Sequence, residues 1–273
     1  MSVMLLNVSV EELKKELYDK DWNKIGEEIV KWIKNYVEEN GLQGAVVGVS
    51  GGVDSVTTAF LVSKALKNYY FLILPSDSTP QRDIQDALKV VKLLNAEDRH
   101  SMISVDDVVS LVRDKVGTDD KRVIGNVKAR IRMVYLYAFA QKFNYLVVGT
   151  GDKSELLLGY FTKYGDGGVD ILPIGDLYKT QVRLLAKALG VPKEIYEKPS
   201  SPALWTGQTA EEELGFKYEV ADLVLYAMYE KGLSETEVTR LLGIEKSVVE
   251  RIKQLVRINS HKRNLPPIFK LNQ

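Results

Sequence analysis

The stretch AVVGVSGGVDSVTTAF, residues 45–60, changes character twice. Its apolar start, 45–49, reads as a strand covered on both faces, as a central parallel strand is. Ser50-Gly51-Gly52 can only be a tight turn, and from Val53 the apolar residues continue as a helix to about residue 66. Working outward, the same alternation recurs. YFLIL (70–74) is a strand, 80–94 a helix, MIS (102–104) a short third strand, and YLVVG (145–149) another clean strand. Helices are expected over 106–115, 120–143 and 177–189, the last closed by Gly190 and Pro192. Upstream, Ser9 and Glu12 form a capping box, and a helix over 21–40 ends at Gly41. Strands separated by helices imply right-handed crossovers. The fold class is therefore α/β: a doubly wound, Rossmann-like parallel sheet flanked by helices. After about residue 217 only helices follow, a C-terminal appendage. The expected organisation is one domain over 1–273, with N-terminal helices in 1–41, an α/β core in 44–200 and the appendage in 216–262.

Composition narrows the chemistry. The chain of 273 residues is 45% hydrophobic and 27% charged, with 37 Lys plus Arg against 37 Asp plus Glu. No bulk field draws it to nucleic acid or to an anionic membrane. No apolar run approaches the ~20 residues of a membrane span, and MSVMLLNVSVEEL lacks the basic region of a secretory leader. There is no cysteine, which excludes disulfides, thiolate nucleophiles and cysteine–zinc sites, and there are only two histidines. Any metal is then a hard cation held by carboxylates and phosphate oxygens. A cytoplasmic protein is expected.

In such sheets ligands bind past the carboxyl ends of the strands, where two loops, 48–55 and 149–155, are chemically loaded. Gly48, Gly51 and Gly52 let the backbone approach a ligand closely. The helix starting near Val53 points free N–H groups into the turn, an anion site made of main chain, and Ser50 and Ser55 add hydroxyls. Asp54 is repulsive there unless a cation lies between it and a phosphate, so Mg²⁺ is implied. Neither GxxxxGK[ST] nor GxGxxG is satisfied. The loop resembles the SGGxDS signature of the ATP pyrophosphatases, which grip the β and γ phosphates and let AMP be transferred.

Farther on, Arg122, Asn126 and Arg130 share one face of a long helix, with Arg122 read as part of a solvated stripe. The segments 147–170 and 172–182 crowd Thr150, Glu155, Lys163, Asp166, Asp170 and Lys179 near one strand end, among many glycines. The blocks GVSGGVDS (48–55), NVKARIRM (126–133), GTGDKSE (149–155), GYFTKYGDGGVD (159–170) and HKR (261–263) together resemble the NAD⁺ synthetases, in the same order. The likeness spans about residues 21–267. It implies a ligase in which ATP adenylates the nicotinate carboxylate of deamido-NAD⁺ and ammonia attacks the acyl adenylate, giving NAD⁺, AMP and pyrophosphate. Carried over by motif, Gly48, Val49, Ser50, Gly51, Gly52, Val53, Asp54 and Ser55 hold the pyrophosphate end of ATP. Thr150, Lys179 and Ser201 also contact ATP, and Asp54 and Glu155 bind Mg²⁺. Arg130, Lys163, Asp170, His261 and Lys262 contact deamido-NAD⁺. Asp54, Lys179 and Asp166 are the catalytic candidates, with Asp166 or Asp170 helping to deprotonate ammonium. Two departures stand out: Gly151-Asp152, where members often show Thr-Asn, and Ala210, where an aspartate is common.

The resemblance also implies a homodimer, for which the aromatic-rich helix 120–143 is a candidate contact. Glutamine-dependent members carry an extra domain with a cysteine nucleophile; this chain has neither, so direct use of ammonia is expected. A separate glutaminase partner is compatible with the sequence, but nothing in it points to one. Two rival functions fit parts of the sequence. Residues 233–263 read as a helix-turn-helix of a DNA-binding regulator with an ATP-sensing domain, but KSVVERIKQL carries two glutamates and no base-reading arginine face. A tRNA-modifying ATP pyrophosphatase would share the loop, but it lacks here the cysteines of thiolation and an appended basic module.

Overall fold

The N-cap hydroxyl of Ser9 accepts from Glu12 N at 3.1 Å, and Glu12 returns the bond to Ser9 N, so the capping box forms as expected. It opens helix α1 (Val10–Tyr18), followed by α2 (Trp22–Glu39). The computed structural model describes residues 9–271; the stretch read above for a leader begins outside them. The alternating core follows as β1 (Gly44–Gly48), α3 (Val53–Ala65), β2 (Tyr69–Ile73), α4 (Gln81–Leu93), β3 (His100–Met102), α5 (Asp106–Val116), α6 (Lys121–Phe143) and β4 (Tyr145–Val148). The third strand lies two residues earlier than the apolar pattern suggested. Parallel pairing with β2 sets its register, Phe71 against His100 and Ile73 against Met102, while Met102 itself is exposed. The chain continues as α7 (Lys153–Leu158), α8 (Lys179–Leu189), α9 (Lys193–Tyr196) and α10 (Ala210–Leu214), then α11 (Tyr218–Leu225), α12 (Glu235–Leu242), α13 (Lys246–Ile258) and α14 (Ser260–Arg263).

The four strands pair in parallel in the order β3-β2-β1-β4. Period-two alternation along β1 sends Ala45 and Val47 into one apolar layer, with α2, α3 and α8, and Val46 into the other, with α5 and α6. From β1 the chain steps first to β2 on one side and later to β4 on the other. A crevice therefore opens past the carboxyl ends of β1 and β4, where such sheets bind ligands. A third apolar cluster joins Leu13 and Leu17 of α1 to α11–α13, so the first helix packs with the last ones rather than with α2. Phe139 and Phe143 pack on Tyr70, and Tyr145 on Phe143, so these aromatics lie against the sheet. In the would-be recognition helix α13, Val249, Ile252, Leu255 and Val256 are buried, and its four residues share the cluster with α11. Among the described residues no helix is long and apolar enough to cross a membrane.

Candidate active site

The turn after β1 holds its shape by its own short side chains. Ser55 Oγ accepts from Ser50 N at 3.1 Å and lies 3.0 Å from Ser50 Oγ, while Gly52 N donates to Ser50 Oγ at 3.3 Å. Gly51 sits at φ +82°, and a Cβ there would stand 2.2 Å from the carbonyl oxygen of Asp83, so no other residue fits. No side chain caps α3, and its first N–H groups face the turn. The turn thus presents uncapped main-chain N–H groups, the geometry an anion cradle requires.

Across from it, β4 runs into the loop 149–152 and the first turn of α7. Asp152 caps that helix, accepting from Glu155 N at 2.8 Å, while Glu155 answers to Asp152 N. This reciprocal box aims the free oxygens of both carboxylates at Lys179, the first residue of α8. Lys179 Nζ donates to Asp54 Oδ2 at 2.6 Å and Glu155 Oε1 at 2.7 Å, and pairs with Asp152 Oδ2 at 2.8 Å. Lys179 and Asp152 are 0% exposed. The Asp152 contact is an ion pair without hydrogen-bond alignment, so Asp152 Oδ2, like Asp54 Oδ1, is buried with no donor among the described residues. Burial pushes Asp152 up to about 6 against the pull of Lys179, and it likewise holds Glu155 well above the carboxylate range. For Lys179 burial acts downward, but the carboxylates of Asp152, Asp54 and Glu155 overcome it and hold the ammonium firmly charged. Three carboxylates facing one ammonium leave excess negative charge, the setting that favours a further cation. Their ligand oxygens lie within 4.8 Å of one another. Asp152 is the member of this cluster that the sequence reading left out; Asp-x-x-Glu at a strand end was its available signal.

The crevice is a cavity of about 660 Å³. Gly48, Val49, Ser50, Gly52, Val53, Asp54 and Ser55 line one wall, and Thr150 and Glu155 the next. Ser201 closes it from the loop after α9, its hydroxyl donating to Gln208 O at 2.6 Å. Asp166 also faces in; its carboxylate is reachable from the cavity yet closely surrounded by protein, and that enclosure pushes its pKa up. Thr162 N donates to it at 2.9 Å. Arg122 and Asn126 line the cavity, and Arg122 is exposed there, in keeping with the solvated stripe. Arg130 lies about one turn of helix beyond Asn126, and it donates to Lys163 O at 3.3 Å. Two other cations of α6 were not singled out. Lys128, 5% exposed, donates to Asp77 Oδ1 at 2.6 Å, Ser78 Oγ at 3.0 Å and Leu204 O at 3.2 Å, and Arg132 donates to Leu74 O at 2.9 Å. They bind the loops 74–79 and 203–205 to one helix, and Ala203 there holds a left-handed φ of +48°.

Most of the remaining predicted contacts stand apart from the cavity. Lys163 Nζ donates to His261 O at 2.8 Å, and neither side chain lines the cavity. Asp170 is committed to the sheet: it accepts from Val147 N at 2.7 Å and from Tyr137 OH at 2.9 Å. Lys262 reaches the cavity but donates to Gly159 O at 2.6 Å and Phe161 O at 2.9 Å. Arg263 caps the end of α7, donating to Leu156 O at 3.1 Å and Leu157 O at 2.6 Å. The basic end of the would-be helix-turn-helix is thereby spent inside the protein. The close glycine-rich fit expected around 159–170 is present: a Cβ at Gly167 would meet Phe161 at 2.6 Å, and one at Gly159 would meet Asn259 at 2.1 Å.

Comparison with known proteins identifies a family. Residues 25–266 match the family model described as NAD synthase. A relative from Saccharolobus solfataricus, named NH(3)-dependent NAD(+) synthetase, is 55% identical over 244 residues, 89% of this chain and 88% of its own. Among solved structures, an NMN synthetase from Francisella tularensis superposes with a TM-score of 0.82 at 36% identity, covering 93% of this chain and 100% of that one. An NH3-dependent NAD synthetase from Campylobacter jejuni superposes at 0.78 and 32%, covering 92% and 100%.

Proposed function

The chain belongs to the NAD synthase family of the ATP pyrophosphatase superfamily, ligases that form a carbon–nitrogen bond, and from that premise we propose how its site makes NAD⁺ from ammonia. One observation carries the assignment: Asp54, Asp152 and Glu155 converge with Lys179 beside the preformed turn 48–55. The turn takes the β and γ phosphates of ATP on main-chain N–H groups and the Ser50 and Ser55 hydroxyls. Thr150 and Ser201 complete the ATP contacts, and the buried charge of Lys179 opposes the growing charge at the α phosphate. The donor set fits Mg²⁺, since Asp54 Oδ1 and Asp152 Oδ2 have no hydrogen-bond donor and carboxylates outnumber cations. Asp54 and Glu155 would hold it. When bound, it supplies the screening that lets one anion approach another.

The nicotinate carboxylate of deamido-NAD⁺ attacks the α phosphorus and expels pyrophosphate. Ammonia then attacks the acyl carbon and expels AMP. Asp166, with its affinity for protons raised by enclosure, accepts one from ammonium. Arg130, Lys163, Asp170, His261 and Lys262 serve the deamido-NAD⁺ end. Most of that set lies outside the cavity, and Val123 and Val134 of α6 are exposed nearby in sequence, which supports a homodimer whose second subunit completes this end. The chain acts as one cytoplasmic domain with its helical appendage, and it uses ammonia directly.

The test is sustained pyrophosphate release by the purified chain with ATP, Mg²⁺ and an ammonium salt. Release is expected with deamido-NAD⁺, and it is expected to stop on chelation of the metal. Nicotinate mononucleotide is the control acceptor, given the name of the Francisella relative. Turnover on glutamine alone, or on the mononucleotide in preference to the dinucleotide, contradicts the assignment.

A further inference from the structure

Helix α11 belongs to the C-terminal appendage, yet two of its side chains reach the back of the phosphate site. Asp222 is 0% exposed. Its Oδ1 accepts from Ser154 Oγ at 2.6 Å, and its Oδ2 accepts from Thr180 N at 2.8 Å and Thr180 Oγ1 at 2.7 Å. Ser154 Oγ in turn accepts from Lys179 N at 2.9 Å. A single carboxylate thus fixes both the residue before Glu155 and the main chain around Lys179. One turn earlier on the same face, Tyr218 sets its ring 5.2 Å from Lys179 Nζ, within cation–π range. The Tyr218 hydroxyl is buried without a partner, so the ring is the useful part of that contact.

A buried aspartate can simply join helices. Here α11 already docks through Tyr218, Ala221, Val224 and Leu225 in the apolar cluster, and a buried carboxylate is a costly way to add adhesion. All three donors to Asp222 come from Ser154 and Thr180, the neighbours in sequence of Glu155 and Lys179. We propose that Asp222 and Tyr218 are positioning residues: α11 is the rear wall that aims Lys179 and Glu155 at the phosphate turn, making the appendage part of the catalytic apparatus. This rests on the ATP-pyrophosphatase reading of the site, and pyrophosphate release by the parent chain tests that reading separately.

Three single variants of the full chain, Asp222→Asn, Ser154→Ala and Tyr218→Leu, and the Asp222→Asn/Ser154→Ala double variant test the inference. Folding is followed by thermal melting, MgATP affinity by calorimetry without acceptor, and rates are taken per folded molecule. Asp222→Asn is expected to lower kcat and weaken MgATP binding by about ten- to a hundredfold, as loss of an outer hydrogen-bond partner does at ion sites. KM for deamido-NAD⁺ is expected to stay at the parent value, and Ser154→Ala is expected to add little on top of Asp222→Asn. If Asp222→Asn does not fold, Ser154→Ala and Tyr218→Leu carry the same expected split. Parent-like kcat and MgATP affinity in the folded variants, or fully additive losses from Asp222→Asn and Ser154→Ala, overturn the proposal.

Discussion

Residues 48–55 and the set Arg130, Lys163 and His261 serve opposite ends of one proposed site and are built by opposite means. The turn is main chain, two short hydroxyls and a helix start, and its shape is complete within a few residues. The other set consists of long side chains outside the cavity, with Lys163 held by a main-chain carbonyl 98 residues away. A site made of backbone is specified locally. One made of long side chains depends on distant packing and, in the proposed dimer, on a second subunit.

The two ends should therefore respond differently to damage. Lys179→Met strikes the phosphate end hardest. Turnover is expected to fall by about 10²–10³, as for loss of a preorganised electrostatic group, and melting should report about 3–5 kcal/mol lost from breaking a buried ion cluster. The pH dependence of stability comes next. Burial pushes Asp222 up to about 7, despite the donated bonds that oppose it. A raised acid binds more protons folded than unfolded. Its contribution is therefore fully present below the ordinary range near pH ~4 and is lost as pH rises toward 7. Denaturant titrations should show that decline, and Asp222→Asn should flatten it.

Gly51→Ala forces a Cβ into the carbonyl of Asp83 at a φ that costs about 1–2 kcal/mol by itself. MgATP affinity should drop at least about tenfold while KM for deamido-NAD⁺ holds. Lys128→Met frees the loops 74–79 and 203–205 from α6 and should raise KM for ATP by about tenfold, the worth of one charged hydrogen bond. Lys163→Ala is expected to be mildest: KM for deamido-NAD⁺ up by a few fold, as for an exposed pair worth about 0–1 kcal/mol, with kcat and MgATP binding intact. An equal loss of MgATP affinity in Lys163→Ala and Gly51→Ala would erase the distinction between the ends.

The same contrast explains what could be read in advance. The strands, their helices and the turn are local patterns of apolar period, glycine and cap, and they lie where the sequence put them, within a residue or two at most ends. The third strand slipped because it is short and half exposed, so register with β2 outweighed its own apolar pattern. Asp152 was noticed only as a departure, since its role comes from α8 bringing Lys179 back across the sheet. Lys128 and Arg132 carried no separate signal within NVKARIRM, because their partners Leu204 and Leu74 are 76 and 58 residues away. Asp222 had no signal at all; its partners are 42 and 68 residues away. Asp170 was legible as a conspicuous acid, but its hydrogen bonds to β4 and Tyr137 were not.

The most direct measurement follows oxygen. Deamido-NAD⁺ labelled with ¹⁸O in its nicotinate carboxylate is turned over with ATP, Mg²⁺ and ammonium, and the phosphorus products are analysed by mass. If the turn holds pyrophosphate while the carboxylate takes AMP, one labelled oxygen appears in AMP and none in pyrophosphate. Unlabelled AMP, or ADP and orthophosphate as the products, would contradict it.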